Sequence, residues 1–200
     1  MHRFIYFILF FSFSFFAQAQ LDTIYIMEPS FEDVSDENEA YYWTNCGDAK
    51  ELIFPIFNNG DEQFDVTAKS FEGDYFIGLV VRENGTTEGL SQYLHEPLLA
   101  GKIYHFSVLL QAPEVFTYHT TDFAHPIVFE VYGSSDACSL DELLAFTEPV
   151  TKQEWMQFDF TLEPTEDFNW LTLRVGFMDN QEPYNGSVLM DYVSDIIEIE

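Results

Sequence analysis

The stretch Trp155-Met156-Gln157-Phe158-Asp159-Phe160-Thr161-Leu162 decides the fold. Met156, Phe158, Phe160 and Leu162 alternate with Trp155, Gln157, Asp159 and Thr161. A period of two marks a β-strand with one buried face, because successive side chains leave a pleated backbone on opposite sides. Leu171, Leu173, Val175 and Phe177 repeat the pattern against Trp170, Thr172 and Arg174. Tyr104, Phe106, Val108 and Leu110 form a third inward row.

The same reading places further strands over residues 23–27, 52–57, 75–82, 90–95, 127–132 and 188–199. Turn chemistry separates them: Asn58-Asn59-Gly60, Asn84-Gly85, Ala100-Gly101, Gly133-Ser134-Ser135 and Asn185-Gly186. Asn84-Gly85-Thr86 and Asn185-Gly186-Ser187 also fit glycosylation sequons, but read here as turns. One short helix is expected after Ser139, which has Glu142 at capping-box spacing ahead of Leu143 and Leu144. Many short strands with long connections predict an all-β chain: a two-sheet antiparallel β-sandwich of jelly-roll type with one short helix.

The 200 residues carry 7 Lys and Arg against 35 Asp and Glu, a formal charge of −28. At 47% hydrophobic the chain has too much apolar material for a disordered acidic tail. The acidity argues against nucleic acid and anionic membrane surfaces, which need clustered Lys and Arg. Neutral sugars, cations and basic proteins remain as partners.

Residues 1–19 read as an export signal. His2 and Arg3 precede an apolar run over residues 4–16, and Ala17-Gln18-Ala19 fits a small-x-small cleavage site. That run is shorter than the ~20 residues of a membrane span. Position 20 is Gln rather than Cys, so no lipoprotein signature is present. The mature chain, residues 20–200, is expected to be one exported domain without a membrane span, periplasmic, surface-bound or secreted. In an oxidising compartment the pair Cys46 and Cys138 favours a disulfide; two buried free thiols are the alternative. Neither has a second Cys or a His close enough in sequence for a zinc site.

Several segments resemble galactose-binding-domain-like jelly rolls, which include many carbohydrate-binding modules and surface-protein domains of gliding bacteria. Glu28-Pro29-Ser30-Phe31-Glu32 followed by Trp43 resembles their opening. The run from Tyr184-Asn185-Gly186 to Met190-Asp191-Tyr192 resembles their last strand. The segments from Glu96 to Tyr104 and from Phe129 to Gly133 fit between them. In that family a calcium ion commonly ties the first strand to the last, which implies ligands at Glu32 and Asp191 together with backbone carbonyls. Glu28 stands where the family usually has Asn or a small residue.

Hydrolase and nucleotide signatures are missing: there is no Gly-x-Ser-x-Gly elbow, phosphate-cradling glycine loop or His-Glu-x-x-His motif. His119, Asp122 and His125 lack the spacing to share one strand face. The sharpest candidates are Tyr132, Trp155, Trp170 and Tyr184, expected on outward faces or in loops, where flat rings stack on sugars. The bland alternative is that they fill a sandwich edge or a second small core. The expectation is a non-catalytic module that binds glycan and holds a structural calcium ion. A structural or adhesive domain that contacts cell-surface proteins is the other class.

Overall fold

The computed structural model describes residues 22–34, 40–47, 55–60 and 63–199. The expected export signal, and the first part of the strand expected over 52–57, lie outside the described residues. The strands, in chain order, are β1 Thr23–Ile24, β2 Thr44–Asn45, β3 Ile56–Asn58, β4 Tyr75–Val81, β5 Gly89–Leu98, β6 Tyr104–Gln111, β7 Thr117–Tyr118, β8 Thr121–Asp122, β9 Val128–Ser134, β10 Glu142–Phe146, β11 Met156–Leu162, β12 Phe168–Gly176, β13 Gly186–Val193 and β14 Ile196–Glu198. All their pairings are antiparallel.

A seven-stranded sheet runs β1-β14-β6-β13-β4-β3, with β11 on the other side of β6. A five-stranded sheet runs β10-β9-β12-β5-β2. The alternation in 155–162 holds from Phe158 onward, whereas Met156, expected inward, is exposed at the start of this edge strand. Phe158 faces Val108 and Phe160 faces Phe106 across the β11–β6 ladder, while Gln157, Asp159 and Thr161 are exposed. The expected strand over 188–199 divides into β13 and β14, which pair in turn with the same edge of β6.

The sheets bury one large core between their inner faces. Ile77, Leu79 and Val81 of β4, Phe106, Val108 and Leu110 of β6, and Leu171, Leu173 and Val175 of β12 are all within it. The opening motif closes the sandwich: Phe31 and Trp43 pack with ring centroids 5.7 Å apart, and Val193 N–H donates to the Pro29 carbonyl at 2.9 Å.

A second, smaller core sits on the outer face of the seven-stranded sheet. Phe57, Phe76, Val80 and Leu189 rise from it and are covered by Val66, Phe116 and Phe123. Gly78 lets this cover approach, since a Cβ there would come within 2.9 Å of the Phe57 ring and 3.2 Å of the Phe116 ring. The β7–β8 hairpin belongs to that cover.

The helix expected after Ser139 is corrected by the structure: the segment forms β10 and pairs with β9. The capping signal is spent elsewhere. Ser139 Oγ donates within its own loop to Asp141 Oδ2 at 2.9 Å, and the Glu142 carboxylate accepts from Thr165 N–H and Oγ. Ladder pairing outweighs a four-residue signal. The helical piece found among the described residues is the 3-10 turn Gln63–Asp65.

Candidate binding face and candidate metal centre

The outer face of the five-stranded sheet follows from strand parity. Leu171 and Leu173 point inward, so Trp170, Thr172 and Arg174 point outward. On β5, Leu90, Gln92 and Leu94 point inward, leaving Ser91, Tyr93 and His95 outside. Trp170 lies opposite Tyr93, with ring centroids 5.5 Å apart and planes at 74°. Tyr93 is 49% exposed, and His95 continues the row edge-on at 5.9 Å.

Beside these rings lies a buried hydroxyl row. Ser134, Thr172 and Ser91 on three adjacent strands link at 2.9 and 3.1 Å. Ser134 Oγ contributes the outer bond, donating to the Ser139 carbonyl at 2.5 Å. The loop after β9 therefore lies over the sheet, and the Cys46–Cys138 disulfide fastens it to the chain leaving β2. The expected pairing is thus formed, and no free cysteine remains.

Tyr132 shares this outer face, opposite Thr172 on one side and Leu143 on the other. Its hydroxyl donates to Glu130 at 3.1 Å. Burial, and then the neighbouring Glu130 carboxylate, push its phenol up to about 12.

Trp155 and Tyr184 are placed differently. Trp155 is half-buried against the second core, edge-on to Phe76, and its Nε1–H donates to the Lys69 carbonyl at 2.7 Å. Tyr184 packs edge-on to Phe177, and its hydroxyl donates to the Pro126 carbonyl at 2.8 Å. Their polar atoms are committed to holding loops. The structure thus brings Trp170 and Tyr132 onto one face and separates Trp155 and Tyr184 from them. Tyr93 and His95 were missed by the sequence reading, although the alternation of Leu90, Gln92 and Leu94 signals their outward direction.

Glu32 and Asp191 both converge on the turn before β4. Asp191 is fully buried, and one of its oxygens, Oδ2, accepts from the N–H groups of Phe71 and Glu72. Its other oxygen, Oδ1, is buried without a hydrogen-bond partner. Burial raises its pKa to about 6, opposed by the two N–H donors and assisted by the charges of Glu32 and Glu72. The Glu32 carboxylate accepts from Asp74 N–H at 3.0 Å and Tyr75 N–H at 2.9 Å. It fills the space over Gly73, whose φ of 63° already favours glycine. An orphaned carboxylate oxygen among negative neighbours fits a hard cation.

His119, Asp122 and His125 do not converge: His119 packs tilted against Tyr118, Asp122 accepts from Ala124 N–H, and His125 lies edge-on to Tyr184. No cluster of three metal-ligating side chains occurs among the described residues. None of their helices is long and apolar enough to cross a membrane.

No protein-family model matches the chain, and no curated protein does. Solved structures do resemble it. A cyclase from Fischerella sp. TAU superposes with a TM-score of 0.59 at 13% identity, covering 90% of this chain and 98% of that one. An arabinose-bound α-L-arabinofuranosidase gives 0.58 at 11% identity, covering 88% of this chain and 26% of that one. The N-terminal modules of a Clostridium thermocellum xylanase complexed with xylohexaose give 0.49 at 16% identity, covering 90% and 28%. At such identities the likeness to the cyclase and the arabinofuranosidase is one of fold alone, the two-sheet antiparallel jelly-roll sandwich.

Proposed function

We propose that the mature chain is an exported, non-catalytic module that binds a neutral or weakly charged glycan on the outer face of the five-stranded sheet. The observation that carries this reading is the Trp170–Tyr93 pair. Two rings stand opposite each other on paired strands, one of them half exposed, on a face that also carries His95, Tyr132 and Glu130. Rings of this kind stack on the apolar faces of sugars, and a rigid strand holds them without loss of loop entropy. His95 and Tyr132 flank the pair. The net charge of −28 disfavours polyanionic glycans. The leader-like residues 1–19 and the disulfide support export.

A structural calcium ion belongs to the same proposal. Asp191, through Oδ1, and the Glu32 carboxylate would hold it, and the ion would supply the positive charge that this pair of carboxylates lacks. The chain itself does the rest: Asp191 and Glu32 fix the turn from Phe71 to Tyr75 through backbone N–H groups. Screening the purified protein and a Trp170→Ala, Tyr93→Ala double variant against a panel of neutral glycans tests the function. Binding by the former and loss in the latter support it; no binding by either favours the structural or adhesive class.

A further inference from the structure

The outer face of the five-stranded sheet carries a recess beside Tyr132 rather than Trp170. β10 is the edge strand of the sheet among the described residues, and its Leu143 and Phe146 are 46% and 63% exposed. With Phe177, from the turn after β12, they wall a cleft of about 280 Å³. Glu130, Glu148 and Asp179 line it, and Arg174 stands opposite Glu130 in the ladder without lining the cleft, leaving the carboxylates in excess. Glu130 is fixed in place. It accepts from the Tyr132 hydroxyl, and it lies where a Cβ on Gly176 would meet its carboxylate oxygen at 2.7 Å.

We infer that this cleft binds an amino sugar with a free ammonium group, an inference that rests on the glycan reading of the chain. The exposed Phe146 ring offers a stacking surface for a pyranose. The carboxylates around it accept charge-assisted hydrogen bonds from an ammonium, and the Phe146 ring face adds cation–π attraction. The same carboxylates exclude an anionic ligand. A peptide that adds a strand to β10 is disfavoured, because the ladder shifts register between Leu143 and Ala145 and the edge does not present a straight row of groups.

The test is calorimetric titration of the purified chain with glucosamine oligomers, their N-acetylated counterparts and a lysine peptide, at low and high salt. The glucosamine oligomer should bind more tightly than the N-acetylated one and weaken as salt rises. A Glu148→Gln, Asp179→Asn double variant should lose about tenfold for glucosamine and little for neutral sugars. Phe146→Ala should weaken both, and the melting temperature should hold in each variant, because all three side chains are exposed. Removing two exposed charges elsewhere, by Glu163→Gln with Glu166→Gln, should change nothing. Equal loss in that control would reduce the effect to general attraction by an acidic protein and overturn the site. A lysine peptide that binds as tightly, with the same sensitivity to the double variant, would overturn the sugar assignment. Neutral-glycan binding that needs Trp170 but shows no preference for glucosamine would sink this inference and leave the proposed function standing; no glycan binding at all would sink both.

Discussion

Trp170 on β12 and Tyr93 on β5 stand opposite each other in the ladder, ring centroids 5.5 Å apart and planes at 74°. Trp170 is flanked in the ladder by Tyr93 on one side and Ser134 on the other, while β2 meets β5 at Leu90 and Ser91, so Tyr93 is held through β12. Preorganisation of this kind limits the entropy lost when a ligand stacks. It also separates binding from folding, because the Tyr93 ring contributes little to the core.

That separation is measurable. Tyr93→Ala should shift stability by under about 1 kcal/mol, as expected for an exposed strand position. Trp155→Ala should cost about 2–3 kcal/mol, since it removes a ring from the second core and orphans the Lys69 carbonyl. Denaturant unfolding of the two variants checks this. Equal costs would mean that the two rings do the same job.

The contrast shows how far the sequence could be read. Period-two rows predicted β6, β11 and β12 because each strand turns its apolar side chains to one face, and an exact pair of cysteines, Cys46 and Cys138, in an exported chain predicted their bond. Outwardness of Trp155 was also correctly periodic: it lies on the outer face of its sheet. What no local pattern could show is that residues 63–68 and 113–123 fold back over that face and cover it. Ser139 and Glu142 misled for a related reason, because their capping chemistry was diverted to Asp141 and Thr165 by long-range pairing of β10. Asp191 came from family resemblance; its burial and its open oxygen are visible only in three dimensions.

The disulfide closes a sequence separation of 92 residues and pins the loop that covers Ser91, Thr172 and Ser134. A Cys46→Ser, Cys138→Ser variant should therefore lose about 4–5 kcal/mol by the chain-entropy estimate. Thermal unfolding under oxidising conditions measures it. Two thiols that alkylate freely in unreduced protein would contradict the bond itself.

Asp191 gives a pH signature. Its pKa is about 6 in the folded protein, against an ordinary carboxylate value of 3.8. Folding therefore favours the protonated form. The penalty of burying the charge is fully present above about pH 6, falls as the pH drops through that value, and is gone below about pH 4. It amounts to no more than about 3 kcal/mol at neutral pH. In chelator, Asp191→Asn should be more stable than the parent at pH 7.5, and the gap should close by pH 4. Carboxylates remote from Asp191 cancel in that difference, and Glu32 and Glu72 enter only through their repulsion with it, so a gap independent of pH would refute the assignment.

Calcium should relieve the same penalty. At neutral pH the melting temperature should rise with Ca²⁺ and fall with chelator, by the equivalent of about 2.7 kcal/mol at a hundredfold excess over Kd. Mg²⁺ should substitute poorly, because it demands tighter octahedral geometry. Glu32→Gln and Asp191→Asn should each abolish the response. A Ca²⁺ shift that persists in both variants would place the ion elsewhere.

The central claim is that the outer face of the five-stranded sheet binds a neutral glycan. Isothermal titration of the best ligand from a neutral-glycan panel into the parent protein and into the Trp170→Ala, Tyr93→Ala double variant tests it most directly. The account predicts binding that barely changes with ionic strength, lost in the double variant while the protein stays folded; stacking is worth about 1–3 kcal/mol per ring in comparable aromatic platforms. Undiminished binding by the folded double variant would contradict it.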